Sequence, residues 1–221
     1  MVSIELLVQQ VINGLLFGGQ LALMAVGLTL IWGVARVLNF SHGAMFMVGG
    51  FVGFFTLGAT GNIVVAVVSA ALVVFVLGYL TEVALIRPLR DREEFGIPSM
   101  VVTLGLAFFL ENAVIVWIGS QRESFPRFTD VVWNVSGINL SAQRALIFVI
   151  SLVALGLLFY VIARTKLGLG IRAVSQDSDT ALLMGVRPNR IYALTFGISA
   201  ALAGLAGVLL APLFAVYPSV G

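Results

Sequence analysis

Six stretches of this chain are apolar for long enough to be read as membrane segments, and that constrains the fold more than any motif. A helix that crosses a bilayer needs about 20 consecutive, mostly apolar residues. The candidates are Leu6–Trp32, Ala44–Leu57 (short and glycine-rich), Ile63–Ile86, Pro98–Gly119, Arg144–Ala163 and Ile191–Pro212. Composition agrees. Hydrophobic residues make up 60% of the 221 and charged residues 10%, where soluble domains carry about 25% charged residues. The first run exceeds the roughly 7–15 apolar residues of a cleavable signal and has no basic segment before it, so it is expected to stay as a span. The expected fold class is an all-α polytopic transmembrane helix bundle of six segments, with residues 1–221 forming one transmembrane domain.

The residue inventory excludes several chemistries. There is no cysteine and one histidine, His42, which removes disulfides, thiol catalysis and multi-histidine metal sites. The net charge of +2 is too small to point to nucleic acid. No catalytic residue, metal or cofactor is expected.

Basic residues set the orientation. If six spans alternate, Arg36, the loop with Arg87, Arg90 and Arg92, and the loop from Arg164 to Arg190 share one side. That side holds nine of the twelve Lys and Arg residues and is the expected cytoplasmic face. Arg122, Arg127 and Arg144 lie opposite. Gly14-xxx-Gly18, Gly49-xxx-Gly53 and the small residues of "GISAALAGLAGVLLAP" are spaced to let helices approach in lipid, where packing rather than hydrophobicity drives association.

Between the last two spans lies "GIRAVSQDSDTALLMGVRPNR", Gly170–Arg190. Asp177 or Ser178 is placed to cap a short helix with Asp179 in its first turn, Ala181–Met184 along it and Gly185 to end it, with Pro188 just beyond. An apolar face on a cytoplasmic helix calls for cover. The bundle, the lipid interface and a partner protein are all open on periodicity alone.

The polar residues within apolar runs are candidates for a pathway. Asn39, Ser41 and His42 interrupt the apolar sequence in "LNFSHG"; a broken helix lining a pathway and an ordinary cytoplasmic turn are both open. Asn13 and Gln20 lie seven residues apart on one face of the first span, and either line a pathway or bond a neighbouring helix. Glu111 and Asn112 sit past the middle of the fourth span, where a pathway role competes with an inter-helix hydrogen bond. Glu82, near the cytoplasmic end of the third span, is expected to pair locally with Arg87. Phe125, Phe128 and Trp133 in the outer loop fit interfacial anchoring or a docking face.

Asp179-Thr180-Ala181-xxx-Gly185 has the spacing of the "EAA-xxx-G" pattern of importer-type ABC permeases. Its longer context, "LGLGIRAVSQDSDTALLMGVRPNRIYALTFGISAALAGLAGVLLAP", together with "VLNFSHGAMFMVGGF" and "LIRPLR", resembles the branched-chain amino acid ABC transporter permeases from about residue 10 onward. Members of that family run longer than this chain. The resemblance implies a permease subunit of an importer in the bacterial-type inner membrane. It implies ATP-binding subunits, a second permease subunit (a paralogue) and a periplasmic substrate-binding protein as partners, with no nucleic acid. Cargo would be branched-chain amino acids; relatives carry urea, short amides or other amino acids. Asp177, Asp179, Ala181 and Gly185 become the ATPase-coupling candidates. Asn13, Gln20, Asn39, Ser41, His42, Glu111 and Asn112 become the pathway candidates. The chain has no GxxxxGK[ST] phosphate loop, so ATP would be hydrolysed by another subunit. A proton-coupled secondary transporter using Glu111 or His42 is the alternative, and a membrane scaffold that only tethers a partner is a further one.

Overall fold

The computed structural model describes residues 4–90, 96–135 and 138–219; Arg92 of the second basic loop lies outside them. Helices α1 (Ile4–Ala35), α2 (His42–Thr60) and α3 (Ile63–Thr81) come first, and α3 continues through a π turn, Glu82–Ile86, and a 3-10 turn, Arg87–Leu89. Then follow α4 (Gly96–Trp117), a hairpin of β1 (Val132–Val135) and β2 (Ile138–Ser141), α5 (Ala142–Arg164), α6 (Lys166–Gln176), α7 (Ser178–Leu183) and α8 (Pro188–Phe214). Six of these helices are long and apolar enough to cross a membrane. They coincide with the six expected runs, and the fold is the expected all-α bundle. The hairpin, antiparallel with Val132 opposite Ser141, was not legible as strands.

Local chemistry sets the boundaries. Gly61, at φ +64°, closes α2 in the left-handed conformation, and the Asn62 side chain caps α3 by accepting from the Val64 and Val65 amides. Pro188 opens α8, where its missing N–H costs nothing.

Helix α8 is the axis of the bundle, buried along nearly all its length, with α2 and α3 against it. Its small residues make this possible. A side chain on Gly207 would run into the Phe46 carbonyl of α2, and one on Gly49 into the backbone of Gly204. On the other flank, Gly78 of α3 meets the Phe196 carbonyl and Ala200. Gly49-xxx-Gly53 therefore packs within the chain, whereas Gly14 and Gly18 face open space.

One end of the bundle gathers Ile31, Val34, Val37, Ile86, Ile171, Ala181 and Ile191 into a hydrophobic cluster. These come from the segments expected on the cytoplasmic side. The opposite end joins the start of α1 to the hairpin and the loop after α4 to the end of α8, through Gln9 to the Asn139 carbonyl and a Glu123–Val216 bridge. Phe125 there is buried and packs on Phe54 and Phe128, with ring centroids 6.1 and 5.8 Å away. It is a packing residue rather than an interfacial anchor; Trp133 stays exposed.

Candidate functional site

The polar stretch between the last two spans folds into two helices rather than one. Helix α6 was not anticipated as a separate element. Gly168 and Gly170 lie inside it, where side chains would strike the Val161 and Ile162 carbonyls and Ile191. After it, Asp177 caps α7 as expected. Its carboxylate accepts from the Asp179 amide at 2.9 Å, the Thr180 amide at 3.1 Å and the Thr180 hydroxyl at 2.8 Å. Hydrogen bonds from the Thr180 amide, the Thr180 hydroxyl and the Asp179 amide hold this carboxyl below its ordinary value. Gly185, at φ +85°, turns the chain out of α7 in a conformation other residues adopt at a cost.

The direction of α7 separates the possible covers. Ala181 points into the hydrophobic cluster at this end of the bundle and is buried. Leu182, Leu183 and Met184 point away from the chain and are 56%, 87% and 80% exposed. Three apolar side chains thus stand outward on a capped, glycine-terminated helix at the basic end of the molecule. Isolated exposed apolar residues are ordinary, but contiguous ones mark interaction surfaces.

This end is fastened to the membrane helices by a charged cluster that the sequence only hinted at. Glu82 is fully buried in the π turn and accepts from Arg87 at 3.1 Å and Arg90 at 3.2 Å. Its expected pairing with Arg87 is present, and Arg90 joins it. Arg87 also donates to the Asn189 carbonyl at the start of α8, and the Arg90 guanidinium lies 3.6 Å above the Tyr192 ring. A cation over an aromatic face is attracted by the ring quadrupole. The chain just after α7 is thereby tied to α3. The signal in sequence was "LIRPLR"; the π turn that swings both arginines onto one carboxylate is a three-dimensional feature.

The break between α1 and α2 lies deeper than its position beside Arg36 suggests. The 32 residues of α1 span about 48 Å against a hydrocarbon core of about 30 Å. At Arg36, φ +53°, the chain reverses. His42 Nε2 then meets the Met24 carbonyl at 3.2 Å, and Met24 precedes Ala35 by eleven residues, roughly 16 Å along the helix. Thr103, inside α4, donates to the Leu38 carbonyl and accepts from the Phe40 amide. Asn39, Ser41 and His42 are all buried, and Asn39 Oδ1 accepts from the Ser41 amide and hydroxyl. Asn39 Nδ2 and His42 Nδ1 have no hydrogen-bond partner among the described residues. Irregular backbone at this depth is tolerated where it is buried in protein or lines a cavity.

The remaining pathway candidates divide. Gln20 is buried on α1, on the same helix as Met24, and Asn13 accepts from Arg144 at 3.3 Å. Glu111 and Asn112 stand apart on α4, half-buried and exposed. Asn112 bonds back to the Phe108 carbonyl, and Glu111 makes no hydrogen bond to a described residue. The inter-helix bond, one of the two roles open to Glu111, is not formed with any described residue.

Residues 10–221 match the family described as the permease component of branched-chain amino acid transport systems. The high-affinity branched-chain amino acid transport system permease protein BraD of Pseudomonas aeruginosa is 34% identical over 96% of this chain and 74% of its own. The corresponding protein LivH of Escherichia coli is 31% identical over 94% of this chain and 71% of its own. A probable LivH of Methanocaldococcus jannaschii is 27% identical over 95% and 68%. No solved structure matches.

Proposed function

The chain belongs to the family of branched-chain amino acid transport permeases and is an integral inner-membrane protein, and from that premise we propose that it is the membrane subunit of an ATP-driven importer of branched-chain amino acids. It acts as one transmembrane domain beside a second, paralogous permease subunit. ATP-binding subunits sit on the cytoplasmic face, and a periplasmic binding protein delivers cargo. The observation that carries this reading is the outward set of α7, with Leu182, Leu183 and Met184 exposed on a helix whose ends are fixed by Asp177 and Gly185.

The proposed mechanism is alternating access. ATPase closure pushes on α7; Ala181, in one cluster with Val174 and Ile191, passes the push to α6 and α8, and α6 in turn to α1. Arg87 and Arg90 link the start of α8 to Glu82 on α3, so these helices move together. Only an ATPase state that binds one of the two conformations better can shift their balance. The buried break at Asn39–His42 and the polar residues of α1 offer the cargo route.

The test is co-purification of the permease with its ATP-binding subunits before and after Leu183→Glu. This side chain touches little of its own chain, so the variant folds. The expected result is at least a tenfold loss of ATPase binding, as for a central interface residue, with uptake of labelled leucine lost alongside. Unchanged binding would refute the coupling role of α7.

A further inference from the structure

Three cavities adjoin one another in the outer half of the bundle. The outermost, about 430 Å³, lies under the hairpin and is bordered by Arg127, Asp130, Asn13 and Arg144. The middle one, about 350 Å³, shares Asn13 and Arg144 with it and reaches Gln20. The innermost, about 300 Å³, is lined by Leu21, Met24, Phe46, Met47 and Leu210. Phe17 and Phe214 border both the middle and inner cavities, their ring centroids 5.9 Å apart.

We propose that the middle cavity receives the cargo as an α-amino acid zwitterion, with Arg144 taking the carboxylate, Gln20 the polar backbone atoms, and the cavity beyond Phe17 and Phe214 the branched side chain. This assignment rests on the importer reading above and specifies its site.

Arg144 is an exposed cation with no counter-ion among the described residues. It donates to Asn13, and none of the described carboxylates lies within ion-pair distance of it. A guanidinium fork matches a carboxylate in two parallel hydrogen bonds. Gln20 is 1% exposed, and neither its amide nitrogen nor its amide oxygen has a partner among the described residues. Burying an amide unsatisfied is costly. The group that would satisfy it must accept from Nε2 and donate to Oε1, and the carboxylate and ammonium of an amino acid do both. Gln20 also lies midway along α1, the depth at which transporters place their substrate sites. The inner cavity offers apolar walls, at a volume within the range of small-molecule sites. Polar groups on one side of an aromatic pair and apolar walls on the other divide the space as a leucine divides its own surface.

Equilibrium binding of tritiated leucine to the purified full-length permease tests the site, with leucinamide, which lacks the carboxylate, and alanine, which lacks the branched side chain, as competitors. In the wild type, leucine is expected to bind saturably and to outcompete both. Arg144→Gln is expected to weaken leucine about tenfold to hundredfold, the range for a lost charged hydrogen bond, and to leave leucinamide unchanged; Arg144→Lys recovers part of the loss. Leu21→Trp, which fills the inner cavity, is expected to cost leucine at least tenfold relative to alanine. Wild-type affinities in both variants would overturn the proposal, as would the absence of saturable binding to the wild type. ATP-dependent leucine uptake by the assembled transporter separates the two failures. If uptake persists with Arg144→Gln and Leu21→Trp at wild-type half-saturation, the importer reading stands and this site falls. If the wild type takes up no leucine, both fall.

Discussion

Helices α4 and α8 read almost alike in sequence and end in opposite surroundings. Their mean hydropathies are 1.9 and 2.0, yet 11% of the α4 window and 78% of the α8 window are buried within the chain. Apolar character therefore carries a helix into the membrane without deciding what it faces there, because lipid is as apolar as leucine. The small residues decide. In α8, Ala200, Gly204 and Gly207 let α2 and α3 come close, at Gly78, Ala70 and Gly49, and Phe46, while Gly105 of α4 has nothing near it.

The two carboxylates in or near these surroundings should separate most. Glu82→Ala leaves Arg87 and Arg90 facing an empty buried site beside α8, and removal of one partner of a buried pair costs about 3–5 kcal/mol. Glu111→Ala removes no bond to a described residue and is expected to change stability by at most about 0.5 kcal/mol. Thermal melting of the purified protein in detergent reads both. Equal losses would erase the distinction.

The glycines come next. Gly207→Leu forces a side chain into the Phe46 carbonyl, an overpacking of at least about 1–3 kcal/mol, and should lower the melting temperature and the yield of monodisperse protein. Gly105→Leu should be neutral or stabilise by up to about 1 kcal/mol through helix propensity. A Gly105 variant as damaging as the Gly207 one would show that α4 is covered after all.

The smallest effect belongs to α7, which is held by a cap more than by burial. Because hydrogen bonds lower the folded value of Asp177, its contribution is complete above the ordinary aspartate value of about 3.9 and disappears as pH falls through the lowered one. Amide resonances of Asp179 and Thr180 are expected to stay flat from about pH 8 to about pH 5 and to move only in stronger acid. In Asp177→Asn, which keeps an acceptor but does not titrate, the Thr180 amide should lose most of that movement. Movement near neutrality would contradict the cap.

The spans were legible because bilayer thickness dictates their length, and the cap and stop of α7 because Asp177 and Gly185 carry local rules. Three features needed the third dimension. The depth of Asn39–His42 follows from an overlong α1 and a reversal at Arg36, whereas its neighbours in sequence resemble an ordinary turn. Helix α6 hid behind glycines that serve close approach to the end of α5. Arg144 read as a rim charge at the start of a span, and only the fold sets it beside Asn13 over the cavity that Gln20 lines.

The proposed importer role depends most on α7 being the face that an ATPase covers. The chain contains no cysteine, so Leu183→Cys places a single thiol on that face. Its rate of labelling by a membrane-impermeant maleimide should be compared with and without bound ATP-binding subunits. The permease alone should label rapidly and the complex at least about tenfold more slowly, as for a residue at a water-excluding interface centre. The same rate in both would contradict it and leave α7 without its proposed partner.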